Sequence, residues 1–173
     1  MFDGGIALAA GESSSLRYLV RSERPVKSAP VLSAAVTGIV APSRRFIDKS
    51  RPEVGDCILG ATASGLHSNG ISLVIKCGLA LPDQFLTKLP NSRTLGEEAL
   101  KPTRSYVALI EALLETEVTI HGLLPATGAG VSKIAFNQQP FTYRIHSWAQ
   151  VPPLFQFIRE LGISTPDCLT TFN

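Results

Sequence analysis

Charge is scarce in this chain of 173 residues: 17% of its positions are Asp, Glu, Lys or Arg, against roughly a quarter in soluble domains. A surface so poor in charge points to area that belongs against a partner. Sixteen basic and fourteen acidic residues leave a net charge of +2, and neither sign gathers into a block, which argues against charge-driven binding of nucleic acid or of an acidic membrane. Cysteine is thin as well. Cys57, Cys77 and Cys168 are odd in number, lie far apart and form no CxxC pair, so neither a disulfide framework nor a cysteine zinc site is indicated, and a reducing cytoplasm fits best. No cluster of His, Cys or carboxylates has metal-ligand spacing along the sequence. Long apolar runs are missing too: the stretch from Gly4 to Ala10 is short and follows Asp3 rather than a basic segment, so it reads neither as a secretion signal nor as a membrane span. What is present is a hydrophobic share of 45% on a chain long enough to bury a core without staples.

Residues 2–10 read as a short buried strand, followed by a polar connection up to a compact domain that starts near Pro30. Val31 to Val40 and Cys57 to Ala63 have the β-branched, small and apolar composition of strands. The loop Ser64-Gly65-Leu66-His67-Ser68-Asn69-Gly70 then leads into Ile71, Leu73, Val74 and Cys77 at helical spacing, with Ser68 or Asn69 as the expected N-cap. Leu79 to Thr94 is expected to be irregular. Pro102 opens the clearest amphipathic helix, carrying Tyr106, Val107, Leu109, Ile110, Leu113 and Leu114, which should cover one face of a sheet. Val118 to Leu123 and Phe141 to Ile145 read as further strands, and Val131 to Ala135 as the start of a helix. Pro152-Pro153 begins a helix that Gly162 closes, and Pro166 begins a last turn. The fold class expected is α/β (α+β), a mixed sheet with helices packed on one face.

Two small-residue turns carry the chemistry, Ser64–Gly70 and Ala126–Gly130. A loop that follows a strand and opens a helix aims backbone N–H groups at one point, as phosphate binding requires. The glycines serve either a positive φ or the close approach of a ligand, and either reason is sufficient. His67, Ser68 and Asn69 either converge on a ligand, with the imidazole as proton donor or acceptor, or cap the helix while His67 bonds a nearby carbonyl. His121 and His146 read as structural histidines. Thr103-Arg104 is either a phosphate contact or a cap beside a solvated arginine. Glu12 could be a metal or substrate carboxylate, and Trp148 reads as core.

In order along the chain, Gly55-Asp56-Cys57-Ile58-Leu59-Gly60, Ala63-Ser64-Gly65-Leu66-His67-Ser68-Asn69-Gly70-Ile71, Leu95-Gly96-Glu97-Glu98-Ala99-Leu100, Pro102-Thr103-Arg104-Ser105-Tyr106 and Pro152-Pro153-Leu154-Phe155 with Thr171-Phe172-Asn173 resemble the C-terminal domain of the aminoimidazole ribonucleotide synthetase, or phosphoribosylformylglycinamidine cyclo-ligase, family. Ala10-Gly11-Glu12-Ser13 is similar to a worn Gly-Gly-Glu-Thr of that family's N-terminal domain. The resemblance implies that residues 1–30 are a remnant of that domain and its linker, and that residues 31–173 form a synthetase-like C-terminal domain without its last elements. It implies ATP-dependent closure of an imidazole ring in purine synthesis, with ATP activating a formyl amide oxygen that an internal nitrogen then displaces. Implied with it are ATP and magnesium held mainly by an N-terminal half, a phosphorylated ribonucleotide substrate, and a homodimer or a separate N-terminal-domain partner. His67 would be catalytic, Gly65, Ser68, Asn69, Thr127, Gly128 and Gly130 would bind substrate, and Glu12 would face the cofactor.

The departures bear on the second turn. Where the family usually shows His-Ile-Thr-Gly-Gly-Gly followed by Glu-Asn and Pro-Arg, this chain has Pro125-Ala126-Thr127-Gly128-Ala129-Gly130 and then Val131-Ser132-Lys133-Ile134. Ala129 resists a positive φ that glycine accepts, and the absent asparagine and arginine remove ligand contacts. The expected function is therefore a cyclo-ligase-like C-terminal part, inactive without an ATP-binding half. Its alternatives are a non-catalytic module that binds a phosphorylated ligand or dimerises, and a fragment with no independent function. Unfinished sheet edges would be exposed on these readings.

Overall fold

The computed structural model describes residues 32–48, 50–67, 69–137 and 139–172. The strand expected at residues 2–10, the remnant at residues 1–30 with Glu12, and Ser68 lie outside the described residues. The chain divides into two units, Met1–Phe46 and Ile47–Asn173. In the first, residues 32–41 run without regular structure into a single 3-10 turn at Ser43–Arg45. The strand expected from Val31 to Val40 does not form over its described residues, and Ile39 stands 93% exposed.

The second unit is held by short helices. After the first small-residue turn comes α1, Ile71–Leu79. A 3-10 turn at Gln84–Leu86 follows, and a single antiparallel bridge joins Lys88 to Thr94. Next are α2, Leu95–Ala99, and α3, Val107–Leu114. The second small-residue turn enters a 3-10 segment at Gly130–Asn137, and α4, Pro153–Glu160, and α5, Thr165–Thr171, complete the described chain. Each boundary has a local cause. Thr94 and Glu97 form a reciprocal capping box on α2, satisfying two of the amides a helix start leaves open. Pro153 occupies the first turn of α4, where a missing N–H costs nothing, and Gly162 beyond it takes φ +95°. Ser164 caps α5 through the Asp167 amide.

The core sits where α1, α2, α4 and α5 converge. Val74, Leu95, Leu154 and Ile158 are fully buried, with Leu66, Leu89, Phe155, Cys168 and Phe172 around them. Phe155 stacks on Phe172 with ring centroids 4.5 Å apart, the offset geometry aromatic quadrupoles favour. Among the described residues a single carboxylate enters this interior: Glu98 is paired with Lys101 at 2.8 Å and Arg93 at 3.0 Å and accepts from the Asn91 amide at 3.1 Å, so the buried charge has two opposite charges beside it.

The mixed sheet is not seen among the described residues, whose only β pairing is the Lys88–Thr94 bridge. The segments expected as strands at 57–63, 118–123 and 141–145 carry no ladder, and Leu59 and Val118 stand 87% and 63% exposed. The physical reason is that β-propensity measures fit to a pleated, half-buried surface, and no such surface lies beside these segments. For the same reason α3 has no buried residue: its apolar stripe was expected on a sheet face. The expectation of a core Trp148 is corrected too, since the indole is 56% exposed.

Candidate functional site

The first turn is closed by an N–H bond from Asn69 to the Leu66 carbonyl at 3.2 Å, with His67 at its bend at φ +53°. Histidine visits the left-handed region more readily than most residues. The helix behind begins from Gly70, at φ +88° and without a side-chain cap, so the expected Asn69 cap is replaced by a glycine that turns the chain. A Cβ on Gly70 would lie 2.5 Å from the Phe172 ring. Gly65 is buried against the Glu98 carbonyl and Lys101, which makes it a packing position behind the turn.

The His67 imidazole is anchored rather than loose. Its Nε2 accepts the Ser64 N–H at 3.0 Å and lies 3.0 Å from the Ser64 hydroxyl, which donates to the Pro102 carbonyl at 2.9 Å. An acceptor Nε2 places the proton on Nδ1, so the group His67 offers a ligand is an N–H donor. Burial, and then the Arg104 guanidinium nearby, hold its pKa below the ordinary 6.5, which keeps the ring neutral. Arg104 donates to the Thr62 hydroxyl at 3.2 Å, and the Tyr106 hydroxyl donates to the Thr62 carbonyl at 2.9 Å. The Tyr106 ring lies 6.1 Å from the imidazole. Thr103-Arg104 is thus not at a helix start, because α3 opens three residues after Arg104, at Val107.

The second turn is closed by a 2.7 Å bond from the Gly130 N–H to the Thr127 carbonyl, with Ala129 at φ +75°. That is the third position of a four-residue turn, where a positive φ ordinarily selects glycine. Alanine takes it at a cost of about 1–2 kcal/mol. Gly130, at φ +55°, is the fixed point: a Cβ there would run into the Leu169 carbonyl oxygen and sit 2.7 Å from that of Phe172. Lys133 reaches back from the 3-10 segment to donate to the Thr127 hydroxyl.

The two turns meet. A Cβ on Gly128 would lie 3.7 Å from the Asn69 Oδ1, and Phe172 presses on Gly70 with its ring and on Gly130 with its carbonyl. Of the expected site residues the structure therefore brings Asn69, Thr127, Gly128 and Gly130 together, with His67 in the first turn and Gly65 behind it. Phe172 is the organising residue that reasoning from motifs missed, although it closes the Thr171-Phe172-Asn173 block.

Elsewhere, His121 Nδ1 lies 2.8 Å from Asp56 Oδ1 and 4.0 Å from Glu53 Oε1, the three groups having potential ligand atoms within 4.8 Å of one another. Sequence spacing hides this grouping because His121 comes from a distant segment. Asp56 also accepts the Glu53 N–H at 2.9 Å, and that bond, with the His121 contact, holds its pKa below 3.8. The arrangement is a hydrogen-bonded clip, in keeping with the structural role expected of His121. Among the described residues no helix is long and apolar enough to cross a membrane.

Residues 53–135 match the family described as AIR synthase related protein, C-terminal domain. Over 173 residues the chain is 32% identical to a phosphoribosylformylglycinamidine cyclo-ligase of Methanothermobacter thermautotrophicus, covering 97% of this chain and 48% of that relative. It is 34% identical over 180 residues to the protein of the same name from Syntrophus aciditrophicus, covering 99% and 49%, and 34% over 176 residues to that from Alkaliphilus oremlandii, covering 98% and 49%. The chain spans about half the length of the curated relatives it matches.

Proposed function

This chain belongs to the AIR synthase related family through its C-terminal domain, and on that premise we propose that it supplies one wall of a cyclo-ligase cleft. The reaction is ATP-dependent imidazole ring closure on a phosphorylated ribonucleotide, in purine synthesis and in the cytoplasm. The observation that carries this reading is the meeting of the two turns at Gly128 and Asn69, since each turn alone is common and their convergence makes a place for one ligand. Thr127, Gly128 and Asn69 face the phosphorylated end, and the His67 Nδ1–H donates to an oxygen of the substrate. Ser68 adds its hydroxyl, and Gly65 and Gly130 hold the backbone from behind.

ATP, when bound, activates the formyl oxygen as a leaving group, and magnesium neutralises its phosphates. The described residues do not fit that pair. Their one grouping of potential metal-ligand atoms, Glu53, Asp56 and His121, belongs to neither turn and is taken up by the His121–Asp56 hydrogen bond, and Glu12 lies outside the described residues. An N-terminal half, in this chain or a partner, supplies the nucleotide site on this reading, and a homodimer is its natural assembly. The mixed sheet expected of the fold belongs to the same proposal, because the extended segments 57–63 and 118–123 then find a pleated neighbour.

A second reading, a non-catalytic module that binds a phosphorylated ligand or dimerises, draws on the His67 Nε2. That nitrogen is occupied by Ser64, so it is no ready base. A thermal-shift titration with formylglycinamidine ribonucleotide, aminoimidazole ribonucleotide and ATP separates the two, because a ligand of the folded state raises its melting temperature. Stabilisation by both ribonucleotides, lost in Gly128→Val, supports the cleft. Stabilisation by inorganic phosphate to the same extent favours the module, and no shift with any of them overturns the cleft.

A further inference from the structure

The 3-10 segment that follows the second turn carries a cation with no counter-ion among the described residues. Lys133 is half-buried, and its ammonium bonds the Thr127 hydroxyl, a neutral acceptor that uses one of its three donors. The interior cations are treated differently: Arg93 and Lys101 both end on the Glu98 carboxylate. Among the described residues no ion pair includes Lys133. A partly desolvated ammonium without a carboxylate favours an anion from outside, and here it stands on the residue that begins the turn whose Gly128 faces Asn69.

We propose that Lys133 is the anion-anchoring and specificity-determining residue of this cleft, selecting a phosphomonoester over the uncharged sugar. The proposal rests on the reading that the two turns form the ligand site. It explains how the site works without the asparagine and arginine that the resemblance leads one to expect after the turn: the positive charge enters three residues beyond the 2.7 Å Thr127–Gly130 closure, from Val131-Ser132-Lys133. When a phosphate arrives, the ammonium moves from the Thr127 hydroxyl to a phosphate oxygen, and that hydroxyl becomes free to donate to the same anion. Lysine acts here as a point charge and not as a planar fork, so charge counts for more than the orientation of the anion.

The test uses the whole chain, with ribose 5-phosphate as probe and ribose as its uncharged control, by isothermal titration at two salt concentrations. Lys133→Gln is expected to weaken ribose 5-phosphate by about tenfold or more and to flatten the salt dependence, while Lys133→Arg keeps most of the affinity and ribose does not bind measurably. Thermal melts of both variants check that the fold is intact. Unchanged affinity and salt dependence in Lys133→Gln, together with loss of binding in Gly128→Val, would overturn the role of Lys133 and leave the cleft standing. Absence of binding by the wild-type chain, or binding indifferent to Gly128→Val, would overturn both.

Discussion

The helical hub and the extended segments of the second unit carry apolar residues of the same kinds with opposite fates. Leu154, Leu95 and Val74 are fully buried, whereas Leu59, Val118 and Leu124 face solvent. A helix satisfies its backbone internally and needs only one apolar stripe covered, which the other short helices here provide for α1, α2, α4 and α5. A strand satisfies nothing alone, for its N–H and C=O groups wait on a neighbour. The same composition therefore folds where contacts are local and stays extended where they are not. The sharpest way to break this comparison is one deletion in each region. Leu154→Ala should cost about 3 kcal/mol in urea unfolding, and Leu59→Ala within about 0.5 kcal/mol. Equal losses would mean that the extended segments are packed in solution.

A smaller effect divides the two glycines of the second turn. Gly130→Ala forces a methyl onto the Leu169 and Phe172 carbonyls in a left-handed conformation, and should destabilise by about 2 kcal/mol. Gly128→Ala meets Asn69 at ordinary contact distance and should leave unfolding within about 0.5 kcal/mol of the parent. A loss at Gly128 matching that at Gly130 would show that both glycines are structural, which removes the ligand-facing role from Gly128.

What could be read in advance follows the same division. Proline and glycine punctuation located α4, because Pro153 and Gly162 act on the backbone beside them. The turns were legible because glycine at positive φ is a local demand. The short α2 was missed, although Thr94 and Glu97 spell a capping box, because the apolar spacing around it is too brief to register as periodic. The Asn69–Gly128 contact and the grip of Phe172 on both turns were not legible, since they depend on how α5 packs. The strand assignments failed at 57–63 and 118–123 for the complementary reason: β-branched composition states a preference for a neighbour without supplying one.

Ala129 gives a smaller effect of opposite sign. At φ +75° its methyl carries strain that glycine avoids, so Ala129→Gly should stabilise the chain by about 1 kcal/mol, read as a rise in melting temperature. No rise would mean that the turn relaxes to negative φ in solution, and the convergence at Asn69 would then need another cause.

The finest test lies at the joint between the two regions, where His67 ties the turn before α1 to the extended stretch through Ser64. The imidazole pKa lies below its ordinary 6.5, by burial first and the Arg104 charge second. In the unfolded chain the ring takes up a proton as pH falls through that value, while in the folded chain it still resists, so the unfolded state binds more protons. Stability from this group is therefore complete above pH 6.5 and declines as pH drops through that value toward the lower folded pKa. The loss is physical as well as thermodynamic, since a protonated Nε2 can no longer accept the Ser64 N–H. Melting temperature should fall between pH 7.5 and pH 5.5 in the parent chain, and His67→Asn, which tolerates the left-handed backbone and does not titrate, should remove the His67 part of that fall. Because Asp56, with its pKa held below 3.8, gives its full contribution above that value and loses it only as pH falls below it, its contribution is constant across this window. An identical pH dependence in the variant would show that Ser64 does not hold the imidazole, and would return the Nε2 to the pool of groups able to act as a base.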